Sequence, residues 1–130
     1  MTKGEPTTDD VSAEVVEELL RIHRETYGKG AQRADVAVCE NVVYCMLDEL
    51  ELLPNEEFII DAGRADTVVE IRMHDQQAIE TTFRPAVERA TRRRVVWFAS
   101  ITKLSPNYVV EVFRLGPRKE APLPDASEKP

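Results

Sequence analysis

The apolar residues of this chain change their spacing three times, and that change limits the folds open to it. From Val11 to Leu19 and Ile22 they recur every three or four residues, with Val16, Leu20 and His23 widening the stripe. That is the period of a helix with one buried face. From Arg33 to Leu47 the period drops to two, the mark of strands. It returns to a helical spacing beyond Pro54, then to two again from Val95 to Leu115. Two strand pairs, each preceded by helical sequence, describe an α+β fold in the order α-β-β-α-α-β-β, with a four-stranded, mainly antiparallel sheet.

The boundaries follow from local signals. Asp9, Asp10 and Ser12 supply caps and favourable charge for a first helix over Asp10–Tyr27, and Gly28 is its left-handed stop. Glu40-Asn41 reads as a tight turn between strands at Arg33–Cys39 and Val42–Leu47. That turn pairs Cys39 with Val42 and sets Cys45 opposite Val36, so the two cysteines cannot bridge and are read as small buried hydrophobes. Pro54 opens a short helix ending near Gly63. One long central helix is expected from Ala65 to Arg92, with Val68, Ile71, Asp75, Ile79, Phe83, Val87 and Ala90 inward and a kink at Pro85. Strands at Val95–Ile101 and Tyr108–Leu115 close the domain, which spans residues 10–116 between polar, disordered tails at 1–9 and 117–130.

Both faces of the sheet carry apolar residues. The second strand offers Val43, Cys45 and Leu47 on one side and Val42, Tyr44 and Met46 on the other. The third offers Val95, Trp97 and Ala99 against Val96 and Phe98. Two helices cannot cover both sides, so the second face, or an edge strand, is expected to be buried on another subunit, a homodimer, with Tyr44, Met46, Trp97 and Phe98 as its contact residues.

Charge narrows the partners. The 130 residues carry a net charge of −7, which repels phosphate backbones and anionic lipid heads, so neither nucleic acid nor direct membrane insertion is expected. No apolar run reaches the ~20 residues that span a bilayer, the N-terminus has no secretory apolar region, and a cytoplasmic location follows. Gly28-Lys-Gly is a cap-and-turn sequence, and Arg89 with Arg92-Arg93-Arg94 complements a helix C-terminus. Glu70 and His74 are one helical turn apart but have no third ligand, so no metal is expected. No nucleophile–base arrangement and no cofactor motif is present, which favours a non-enzymatic binding or accessory protein. The alternative is a cytosolic sensor in which Lys29, Arg72, Arg84 and Arg94 receive a small anionic ligand.

An ordered set of short motifs adds to this. Tyr27-Gly-Lys-Gly-Ala31 before a valine-rich hairpin resembles the opening of the MpsC-like family. Met46-Leu47 with Leu52-Leu53-Pro54-Asn55-Glu56, Gly63-Arg64 with Ile71-Arg72, Arg84-Pro85, Thr91 with Arg94-Val95-Val96, and Val109–Leu115 are similar to later segments of that family. The chain departs from it at Ala31, where proline is common, and at Leu53, where a threonine would cap the next helix. It departs again at Arg92, a glycine position, and at Ser100, where aspartate is frequent. The resemblance implies a link to a sodium-translocating, membrane-potential-generating system. It also implies a cytosolic accessory or regulatory role there, with a protein of the membrane complex as partner.

Overall fold

The computed structural model describes residues 7–28 and 30–117. Its elements are α1 (Thr8–Tyr27), β1 (Gly30–Cys39), β2 (Val42–Glu51), α2 (Pro54–Asp61), α3 (Ala65–Ala78), α4 (Glu80–Thr91), β3 (Val95–Lys103) and β4 (Tyr108–Leu115). The four strands form one antiparallel sheet in the order β1-β2-β4-β3. The α+β class and element order agree with the sequence pattern.

The first helix starts two residues early because Thr7 caps it. The Thr7 hydroxyl accepts from the Asp10 amide at 3.0 Å, and the Asp10 carboxylate accepts from the Thr7 amide at 3.3 Å. Residues 7–9 therefore do not belong to a loose tail; the rest of the two expected tails, 1–6 and 118–130, lies outside the described residues. The buried stripe is Val11, Val15, Leu19, Ile22, His23 and Tyr27, and Gly28, at φ 84°, ends the helix in the conformation that glycine adopts without strain.

The long central helix is two helices. The break falls at Ile79, with φ −91° and ψ 3°, and not at Pro85. Pro85 sits exposed in the second turn of α4, where the carbonyl it leaves without a donor, that of exposed Thr81, is open to water. The inward face of α3 also differs from the apolar stripe. Val68 is buried with Arg72 and Gln76, whereas Ile71 is 47% exposed. Four-residue steps from Val68 lead to two polar side chains, which hydrophobicity alone assigns to solvent.

One face of the sheet is packed under α1 and α4. Ala34, Val43, Cys45, Leu47, Val109, Phe113 and Leu115 form a core with Val15, Leu19, Ile22, Phe83, Val87 and Ala90. The hairpin register pairs Cys39 with Val42 and Val36 with Cys45, as the turn required. Both thiols are free; Cys45 is buried but Cys39 is exposed, because its side chain falls on the opposite face at the sheet edge. A bulge lies between Val95 and Trp97. The Val95 amide donates to Glu88 at 2.9 Å and its carbonyl accepts from Arg84 at 3.3 Å, so α4 grips Val95 opposite Leu115 while the next residue, Val96, drops out of the register. The extra residue separates Val95, which is buried, from Trp97, which is exposed, and it turns Phe98 into the core.

Candidate functional site

The sheet face away from the helices is an ordered apolar field. The register sets four rows across β1, β2, β4 and β3: Cys39-Val42-Arg114-Trp97, Ala37-Tyr44-Val112-Ala99, Asp35-Met46-Val110-Ile101, and Arg33-Asp48-Tyr108-Lys103. The two central rows are apolar apart from Asp35. Tyr44, Met46, Trp97 and Ile101 are 47%, 37%, 54% and 53% exposed, large values for side chains of this type. Charge is kept to the rim, where Arg33 pairs with Asp48 at 3.0 Å and Glu49 at 3.3 Å. An apolar centre with a polar margin is the anatomy of a protein–protein contact.

Three of the four residues expected at a contact, Tyr44, Met46 and Trp97, lie on this face. Phe98 does not. It stacks in the core, its ring centroid 5.1 Å from Phe113 and 6.4 Å from Phe83, because the bulge shifts the alternation of β3 by one residue. Ile101 holds the place on the open face that a regular alternation gives to a residue of the other parity, and only the bulge reveals it.

The second concentration of chemistry is inside the helical layer. Arg72 is fully buried, and its Nε and Nη2 donate to the two oxygens of Glu56 at 2.7 and 2.8 Å. This forked pair is the strong form of an ion pair. Glu56 also accepts from the Leu53 amide at 2.8 Å, supplying half of a helix cap that the apolar Leu53 side chain cannot complete. Burial pushes the Glu56 carboxyl up, but the Arg72 and Leu53 hydrogen bonds outweigh it and the net shift is downward. The Arg72 guanidinium lies 4.2 Å from the centre of the Tyr27 ring.

Behind it, the Gln76 amide nitrogen is 3.2 Å from the Tyr27 hydroxyl and 2.9 Å from the His23 Nε2. Burial, and then the positive Arg72, bring His23 down to about 4, so its ring is neutral at pH 7. A neutral ring accepts from Gln76 at Nε2 and carries its proton on Nδ1. Burial raises Tyr27 to about 12, so it keeps its proton. His23, Tyr27, Glu56 and Gln76 were not singled out as a set by sequence. Their only signal is the four-residue step from Arg72 to Gln76 and from His23 to Tyr27, which is common to most helices.

The cluster backs a cleft of about 370 Å3 between the end of α1, α2 and α3, with Tyr27, Glu56, Ile59, Val68, Ile71 and Asp75 among its walls.

Of the basic residues proposed for an anionic ligand, Arg72 lies apart from Arg84 and Arg94. Arg72 is committed to Glu56 inside the protein. Arg84 pairs with Glu80 at 2.5 Å and with the Val95 carbonyl, at the entry to β3. Arg94 is exposed at that same entry, and Lys29 lies outside the described residues. Arg93 is a structural tie: its guanidinium donates to the Glu40 carbonyl at 2.8 Å, to Asn41 Oδ1 at 2.6 Å and to the Gly116 carbonyl, fastening the β1–β2 turn to the end of β4. Glu70 and His74 are both exposed, and no group of residues suited to a metal ion occurs among the described residues. A further buried acid, Glu111, sits in β4 beside Ser100 and Cys45; burial raises it to about 8 and it is protonated at neutral pH.

An all-antiparallel sheet with helices packed on one face defines an α+β domain, and no helix among the described residues is long and apolar enough to cross a membrane. Residues 7–116 match the family described as Na+-translocating membrane potential-generating system (MpsC), and the chain belongs to that family. Comparisons with curated proteins and with solved structures give no match.

Proposed function

We propose that this protein is a non-enzymatic, cytoplasmic accessory of the membrane-potential-generating system for which its family is named, and that it works by protein–protein contact through the open sheet face. The observation that carries this is the apolar field of Tyr44, Met46, Trp97, Ile101, Val110 and Val112 with its charged margin. The family description supports the connection to a membrane system.

The first occupant of the face is a second copy. Four strands at ~4.8 Å by seven residues at ~3.4 Å give a flat patch of roughly 450 Å2 per copy. Two copies then bury roughly 900 Å2 before side-chain relief is added, below the ~1,200 Å2 of stable interfaces and in the range of weak, transient ones. Such a dimer exchanges, which leaves the face available to a subunit of the membrane complex.

Light scattering from 1 to 200 µM checks the dimer. The expected mass rises toward twice the monomer, and Ile101→Lys holds it at the monomer. A sharp monomer mass for the wild type at high micromolar concentration would remove the dimer. The accessory role is checked by affinity purification of the membrane complex with the wild type and with Ile101→Lys. Recovery with the wild type alone is expected, and recovery with neither sinks it.

A further inference from the structure

We propose that the cleft between α1, α2 and α3 is a binding site for an aliphatic cation, an ammonium or guanidinium group carried on an apolar body.

The cleft has the size of a small-molecule site, about 370 Å3. Its apolar walls, Ile59, Val68 and Ile71 with Leu53, suit a hydrocarbon chain. Every charged side chain among its described walls is an acid: Glu56 and Asp75. Glu56 is already balanced by Arg72, but Asp75 has no ion-pair or hydrogen-bond partner for its side chain among the described residues, and it lies close enough to raise Tyr27 electrostatically. The backbone adds to this sign. The last turn of α1, at Thr26 and Tyr27, and the last turn of α3, at Asp75 and Ala78, both border the cleft, and helix C-termini carry partial negative charge. With Glu56 balanced by Arg72, a carboxylate ligand would meet the Asp75 carboxylate and two negative helix ends; a cation meets that carboxylate, unpaired among the described residues, beside an apolar wall. No residue of the open sheet face lines the cleft, so this site stands or falls apart from the contact surface.

The sources of such a group are a free organic amine or a basic side chain of another protein, and the test separates them. Full-length protein is titrated, with amide chemical shifts as the readout, against hexylammonium, hexanol and hexanoate at matched ionic strength, and against a terminally blocked Leu-Arg dipeptide. Saturable shifts at Tyr27, Ile59 and Ile71 are expected with hexylammonium and absent with hexanoate. Asp75→Asn should weaken hexylammonium about tenfold while leaving hexanol unchanged. Ile71→Gln, at a half-exposed wall position that the fold tolerates, should weaken both. Tighter binding of the dipeptide assigns the site to a protein side chain, and tighter binding of hexylammonium to a free amine. Hexanoate binding as well as hexylammonium, or an Asp75→Asn protein that binds the amine unchanged, overturns the proposal.

Discussion

At the scale of single residues, the unusual investment is polarity inside the core. Arg72 is fully enclosed, and its charge is tolerated because Glu56 meets it in a forked geometry and the Tyr27 ring covers it. Removing one partner leaves the other buried without a counter-charge. Glu56→Ala is expected to cost about 3–5 kcal/mol in urea unfolding, and Arg72→Met in the same background should recover much of that loss. Two other buried groups set opposite pH responses. His23 is depressed from 6.5 to about 4. The unfolded chain therefore binds this proton first, and stability falls as pH drops from about 6.5 to 4, by up to roughly 3 kcal/mol. Glu111 is raised from 4.5 to about 8. Here the folded state holds the proton longer, so the contribution is fully present below about 4.5 and is lost as pH rises toward 8. The two windows overlap between about 4.5 and 6.5 and oppose each other there, so urea midpoints measured from pH 4 to 9 should show a plateau that falls away as pH rises from about 6.5 to 8. Glu111→Gln should remove that fall and uncover the rise from about 4 to 6.5, and His23→Gln should extend the fall down to about 4.5.

At the scale of elements, the helix ends are where this sequence is least settled. Arg92 closes α4 at φ 60° and ψ 32°, a left-handed conformation that costs a side-chain-bearing residue and that glycine adopts freely. The resemblance marked this as a glycine position, and the backbone shows why glycine suits it. Arg92→Gly is expected to raise stability by about 0.5–1 kcal/mol in thermal unfolding, since Arg92 itself is exposed. The element pattern was legible to within a few residues for most helices and strands, because apolar period and turn chemistry are local. The break at Ile79 was not. Pro85 drew attention as the obvious interruption, yet a proline early in a new helix is tolerated while the chain turns upstream of it. The β3 bulge was equally hidden, since its cause is the grip of Glu88 and Arg84 on Val95 rather than anything in the strand's own sequence.

For the whole molecule, the governing fact is that, among the described residues, the helices cover one side of the sheet and leave the other open. If the open face pairs with a second copy, folding and association are linked by mass action, and the unfolding temperature should rise with protein concentration. A hundredfold increase in concentration should move the wild-type midpoint upward by a few degrees and leave Ile101→Lys unmoved; identical midpoints at both concentrations would argue that the face is empty in solution. The cleft on the helical side is unaffected by such a change, so calorimetry of the variant also shows that the monomer fold survives.

The sequence by itself determined the class, the order of elements, the hairpin register and the presence of apolar residues on both sides of the sheet. All of these follow from spacing and from turn residues, which act over a few positions. Tertiary structure alone decided which polar residues turn inward and which aromatic residues stay out. Arg72 and Gln76 are buried only because Glu56, sixteen residues away, and His23, fifty-three residues away, arrive to satisfy them. Phe98 turns inward while Trp97 stays out only because Val96, beside the α4-held Val95, drops out of the register. A hydrogen bond between distant residues has no period, and so it leaves no trace in the spacing of the chain.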